Sequence, residues 1–112
     1  MSKNDIQIGF REWKNIERQI EELIKIREKQ ETARLMDKGL SVFHEMVLLI
    51  NNMEPIPDNV SWKEVKIKPI NVEERLSFIQ GRRGSFHSYK QLVELFKELE
   101  KQYAKKASLE KY

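Results

Sequence analysis

From Phe10 to Ile26 the apolar residues Phe10, Trp13, Ile16, Ile20, Leu23 and Ile24 recur at steps of three and four, which lays them along one stripe of an α-helix predicted over about 8–29. The opposite face carries Glu17, Glu21, Glu22, Lys25 and Glu28. Glu21 and Lys25 stand there in the favourable i, i+4 order, a pair contributing about 0.3 kcal/mol. The run Arg27-Glu28-Lys29-Gln30-Glu31-Thr32 then loses the apolar period without any Gly or Pro. A second stripe, formed by Leu35, Gly39, Leu40, Phe43, Met46, Val47 and Ile50, is rotated by roughly 100° from the first when counted at ~100° per residue. One straight helix would face two directions, so the pattern predicts a break near Gln30 to Thr32 and a second helix over 33–52. A continuous long helix is the alternative. Met46-Val47-Leu48-Leu49-Ile50 is apolar nearly all round, the mark of a helix with neighbours on several sides.

Pro55 and Pro57 close that helix, since proline donates no backbone hydrogen bond and pushes the preceding residue toward extended conformations. The connector, 53–70, holds Val60, Trp62, Val65 and Ile67 and is too apolar for a free linker. Trp62 is expected to pack over the helix ends, with a short helical turn near Ser61 to Glu64 and a short strand at Val65 to Ile67 as a less supported option. Asn71 reads as an N-cap with Glu74 reaching back in a capping box, and Gly81 as the stop, of a third helix over 72–80 that buries Leu76, Phe78 and Ile79. Ser85 or Ser88 caps a fourth helix over 86–106, whose Phe86, Tyr89, Leu92, Val93, Phe96, Leu99 and Tyr103 again keep helical spacing. The tail 107–112 is expected to fray. The fold class is therefore all-α: a single domain of about four main helices in an irregular or up-and-down bundle, joined by a proline-containing connector.

Length agrees with one domain, because a chain of 112 residues buries roughly 60–70% of its unfolded surface on folding. The absence of cysteine removes disulfides, thiolate metal sites and a cysteine nucleophile, and favours an intracellular setting. Met1-Ser2-Lys3-Asn4-Asp5 lacks the apolar stretch of a secretory signal, and no apolar run approaches the ~18 residues that span a bilayer. A cytoplasmic protein without a membrane role is expected. Net charge is +3, too balanced to imply a nucleic-acid binder by itself. Its distribution is uneven: residues 1–54 hold nine bases and ten acids, residues 55–112 twelve bases and eight acids.

Candidate chemistry is sparse, and no catalytic, cofactor or metal motif is present. His44-Glu45 begins like a zinc-protease helix, but position 48 is Leu and not the required second histidine, so His44 reads as a packing residue. Glu73 and Glu74 project about 100° apart on a helix and are better explained by capping than as an acid and base sharing a substrate. Trp13 and Trp62 read as core, and Lys105-Lys106 as cations at a helix end. The residues retained as an anion or partner contact are Arg75, Arg82, Arg83, His87 and Lys90. They cluster around Gly81-Arg82-Arg83-Gly84-Ser85 and the start of the fourth helix, where free N–H groups favour anions. Against that, Gly-Arg-Arg-Gly has neither the length nor the ending of a phosphate loop, and Arg75 is equally suited to an ion pair with the fourth helix.

Pro69-Ile70-Asn71-Val72-Glu73-Glu74-Arg75-Leu76-Ser77-Phe78-Ile79, followed by Gln91-Leu92-Val93-Glu94-Leu95-Phe96-Lys97-Glu98, resembles the YpoC-like domain family of bacterial proteins. The resemblance lies mainly in residues 69–106; residues 1–60 match as generic helices. It implies a small, helical, intracellular protein and brings no cofactor and no catalytic residue with it.

The leading functional expectation is a non-enzymatic protein-protein interaction module, with self-association left open, because amphipathic helix is plentiful and catalytic groupings are absent. The first alternative is a nucleic-acid-binding accessory protein using Arg82, Arg83, Lys90 and the basic tail on phosphates. The second is an enzyme without a recognisable motif, built on a pocket among Arg75, His87 and Tyr89.

Overall fold

The computed structural model describes residues 3–54 and 61–110. Within them the chain is all-α, with α1 at Lys3–Lys25, α2 at Lys29–Ile50, α3 at Val72–Gly81, α4 at Phe86–Glu110 and a single 3-10 turn at Trp62–Glu64. The helices run up, down, up and down. α1 pairs antiparallel with α4 through Glu21 with Tyr89, Trp13 with Phe96 and Phe10 with Tyr103. α2 runs alongside α4 in the same direction, Gly39 lying at Leu92, Phe43 at Phe96 and Ile50 at Lys106.

α1 and α2 are separate helices, as the phase change between their stripes requires, but the break falls at Ile26 to Glu28 and not at Gln30 to Thr32. Its cause is local. Arg27 takes a left-handed conformation, φ 57°, while its N–H donates to Ile24 O and that of Glu28 to Leu23 O, the paired hydrogen bonds of a Schellman helix end. α2 ends in the same way two residues earlier than expected: Asn52 is left-handed, φ 54°, with Asn52 N–H on Leu49 O and Met53 N–H on Leu48 O. Backbone capping therefore stops the helix before the prolines; Pro55, Pro57 and Val60 lie outside the described residues.

The connector is docked onto the bundle. The Asn51 side chain donates to Ile67 O at 2.9 Å and accepts from Ile67 N–H at 2.8 Å, so the polar backbone offered to a strand partner is met by one side chain and no strand forms among the described residues. Pro69 is fully buried, and Gln102 of α4 donates to Lys68 O at 2.8 Å. Trp62 is half-buried against the core beside His44, their ring centroids 5.8 Å apart.

Several local expectations are corrected. Asn71 stands at the N-cap of α3 but is left-handed, φ 56°, and its side chain makes no capping hydrogen bond. Gly81 lies inside the last turn of α3 without a positive φ; the helix stops because Arg82 leaves helical geometry at φ −144°. Val72, Leu76 and Ile79 bury the inner side of α3, while Phe78 is 42% exposed. Lys25 pairs with Glu22, 3.3 Å, and not with Glu21, which accepts from Tyr89. The tail expected to fray continues as helix to Glu110, tied by Lys106 Nζ donating to Ile50 O at 2.8 Å and facing Glu110 at 3.6 Å. That lysine also places a cation on the negative end of α2. At α4 the expected cap is present: Ser88 N–H donates to Ser85 Oγ at 3.1 Å.

The core is centred on Trp13, Phe43 and Phe96. Trp13 stacks on Phe96 with centroids 4.2 Å apart and planes 6° from parallel, and Phe43 meets Phe96 edge-on at 5.3 Å. Gly39 permits this, because a Cβ there would lie 2.9 Å from the Trp13 ring and 3.0 Å from Leu92.

Candidate functional site

The five residues singled out from sequence surround the α3–α4 turn, yet each is drawn toward a different neighbour. Arg75 reaches Glu98 at 2.6 Å, Gln91 Oε1 at 3.2 Å and Ile70 O at 3.1 Å. With 21% of its side chain exposed it ties α3, the connector and α4 together. Arg83 turns away toward α2, donating to both carboxylate oxygens of Asp37 at 2.6 and 2.7 Å. Both contacts come from the single nitrogen Nη1, a charge-assisted contact that holds the turn against α2. The Arg82 guanidinium lies 5.8 Å from the centre of the Phe78 ring, and Lys90 Nζ 5.9 Å from that of Phe86. His87 is exposed with its ring 6.5 Å from Phe86.

Two of the five residues, Arg75 and Arg83, are thus paired with carboxylates. Arg82, His87 and Lys90 are left at the surface beside two exposed aromatic rings. The trio imagined as an enzyme pocket does not converge. Tyr89 is buried and donates to Glu21 Oε1 of α1 at 2.8 Å, whereas Arg75 points to Glu98 and His87 to solvent. Burial, the hydrogen bond to Glu21 and the nearby carboxylates of Glu17 and Glu21 hold the Tyr89 hydroxyl far above its ordinary pKa, so it acts as a fixed donor. His44 Nδ1 donates to Leu40 O at 2.8 Å, which satisfies it within its own helix. Among the described residues no group of three or more His, Asp or Glu is placed to hold a metal ion, and no helix is long and apolar enough to cross a membrane.

A concavity lies between α1 and α2, outside the α3–α4 turn. Among the described residues α1 and α2 alone line a groove of about 600 Å³, between Glu12, Asn15, Ile16 and Gln19 on one side and Arg34, Asp37, Lys38, Ser41, Val42 and Glu45 on the other. It continues past Glu12, Val42 and Glu45 into a further hollow of about 330 Å³, reached by Asp5, Ile8, Gly9, Met46 and Leu49. Its floor is apolar: Ile16, Val42 and Met46 are buried, and Ile8 stands 57% exposed at the edge. Gly9 shapes that floor. A Cβ at position 9 would overlap the Met46 sulfur, so the absence of a side chain lets Met46 pack directly on the α1 backbone. A glycine inside a helix is unfavourable by about 1 kcal/mol relative to alanine, and Ile8 lies off the apolar stripe; these were the two legible signals of the groove.

Family comparison matches residues 3–111 to the model described as YpoC-like protein. The chain belongs to the YpoC-like family. The match includes α1 and α2, which in sequence had resembled the family only as generic helices, so both walls of the groove are part of the family's domain. No curated protein and no solved structure matches this YpoC-like chain.

Proposed function

We propose that this YpoC-like protein is a non-enzymatic interaction module that receives a helical segment of another protein in the groove between α1 and α2. The observation that carries this reading is the groove itself, walled by two antiparallel helices, floored by Ile16, Val42 and Met46 and left uncovered by α3 and α4. An amphipathic helix laid into such a groove buries its i, i+3, i+4 and i+7 side chains. A cytoplasmic setting belongs to the same proposal, supported by the lack of cysteine. The nucleic-acid alternative has less support, because Arg83 is paired with Asp37 and Lys106 of the basic tail is held by Ile50 O and Glu110, leaving Arg82, Lys90 and Lys105 to meet phosphate.

A photo-crosslinking amino acid placed at Ser41, in the groove wall, and separately at Glu73, on the exposed side of α3, tests the reading in native lysate. One protein captured from Ser41 in near-stoichiometric yield and absent from Glu73 is the expected result. No adduct, or the same adducts from both positions, overturns it.

A further inference from the structure

The two ends of the groove differ in charge. At the inner end Asp37 is paired with Arg83 and Arg34 with Glu31, which leaves Lys38 beside a nearly neutral wall. At the Asp5 end the described lining residues are Asp5, Ile8, Gly9, Glu12, Val42, Glu45, Met46 and Leu49, three acids and among the described residues no base, in a chain whose net charge is +3. Among the described residues none of these three carboxylates takes part in an ion pair, although seven such pairs are formed elsewhere. Acids drawn to one end of an apolar furrow, and without an ion pair among the described residues, bias what can enter it. An anionic segment would be repelled, while a cationic one gains attraction across a partly desolvated contact. Length is set by the walls: from Asp5 to Gln19 the α1 wall extends about 21 Å at ~1.5 Å per residue, or close to four helical turns.

Resting on the groove reading above, we infer that the occupant is an amphipathic α-helix of about four turns in another protein, with Lys or Arg flanking its apolar stripe at the end that meets Asp5, Glu12 and Glu45. Ile8 provides the exposed apolar contact at that end, and the floor of Val42, Met46 and Leu49 receives the stripe. Orientation follows from the charge difference, the cationic end lying over Asp5 and the neutral end over Gln19 and Lys38.

The test uses the full chain and a displayed library of 18-residue helices with leucines fixed at i, i+3, i+4 and i+7 and with Lys, Glu, Gln or Ala elsewhere. Peptides selected on the protein are expected to carry Lys beside the apolar stripe at one end. Their affinity, read by fluorescence anisotropy, should fall by about tenfold or more in the Glu12→Lys/Glu45→Lys double variant and decline as salt rises. Both substitutions are at exposed positions, and circular dichroism confirms that the variant is folded. Selected peptides with no charge bias that still lose binding to Ile8→Arg overturn the cationic inference and leave the groove reading standing. A library that yields no binder, or only binders indifferent to Ile8→Arg, overturns both. Concentration-dependent dimerisation that Ile8→Arg abolishes assigns the groove to a second copy and overturns the inference of a different partner.

Discussion

Asn51→Ala removes the side chain that fastens the connector to the end of α2. The amide group of Asn51 makes three hydrogen bonds, to Val47 O at 2.8 Å, to Ile67 O at 2.9 Å and from Ile67 N–H at 2.8 Å. The first is redundant, because Val47 O also accepts the helical Asn51 N–H at 3.1 Å. The two bonds to Ile67 have no substitute among the described residues, and each contributes ~0.5–1.5 kcal/mol net. Asn51 and Ile67 are half-buried, so water can reach the freed groups and the full penalty of an unsatisfied buried polar group is avoided. The expected loss is about 2 kcal/mol. At ~2.1 cal/mol/K of unfolding entropy per residue, that lowers the Tm of this chain by about 8 °C. Urea unfolding followed by circular dichroism gives the free energy, and amide hydrogen exchange at Ile67 reports the local event, with protection falling in the variant. Asn51→Asp sharpens the test: it keeps an acceptor for Ile67 N–H but sets a negative charge among the carbonyls at the negative end of α2, so it should be at least as destabilising as alanine. An alanine variant within about 0.5 kcal/mol of the parent, with Ile67 still protected, refutes the reasoning.

Arg27→Gly should raise stability by roughly 0.5–1 kcal/mol in the same urea assay, because Arg27 holds φ 57°, a conformation that glycine adopts without a Cβ clash; a loss of stability would show that the Arg27 side chain has a role of its own. Tyr89 stays protonated when folded and ionises near pH 10 when unfolded, so above pH 10 the folded state binds the extra proton and stability falls by up to ~1.4 kcal/mol per pH unit. Denaturant midpoints between pH 9 and 11 should show that decline in the parent and less of it in Tyr89→Phe; parallel curves would contradict the buried contact with Glu21. Arg75→Ala, which severs contacts to Glu98, Gln91 and Ile70, should destabilise by about 1 to 2 kcal/mol, and Arg83→Ala, whose partner is half exposed, by well under 1 kcal/mol; thermal melts that reverse this order would remove the bracing role given to Arg75.

The helices were legible because apolar spacing along the chain reports directly on which face is buried. Trp13, Ile20, Phe43, Met46, Leu92 and Phe96 were placed in the core by period alone and lie there. Helix ends were less legible. Arg27 and Asn52 terminate α1 and α2 by entering left-handed geometry, a backbone choice that a residue type other than glycine advertises weakly. Phe78 illustrates a different gap: it keeps the spacing of a buried residue, but α3 is short and packs one side, so its ring is left beside Arg82.

The candidate site divides along the same physical line. The cations of the α3–α4 turn could be named from sequence, since charge and residue type are read directly, but which of them remain available depended on where Asp37 and Glu98 lie, 46 and 23 residues away in the chain. The α1–α2 groove belonged wholly to tertiary structure, for a groove is the space that two helices leave between them. By itself the sequence determined an all-α chain of four amphipathic helices, its family likeness and its core stripes, because each of these depends on residues near one another in the chain. Only the packing of α4 against one side of the α1–α2 pair decided that the other side stays open among the described residues, and with it which acids, Asp5, Glu12 and Glu45, line that apolar floor.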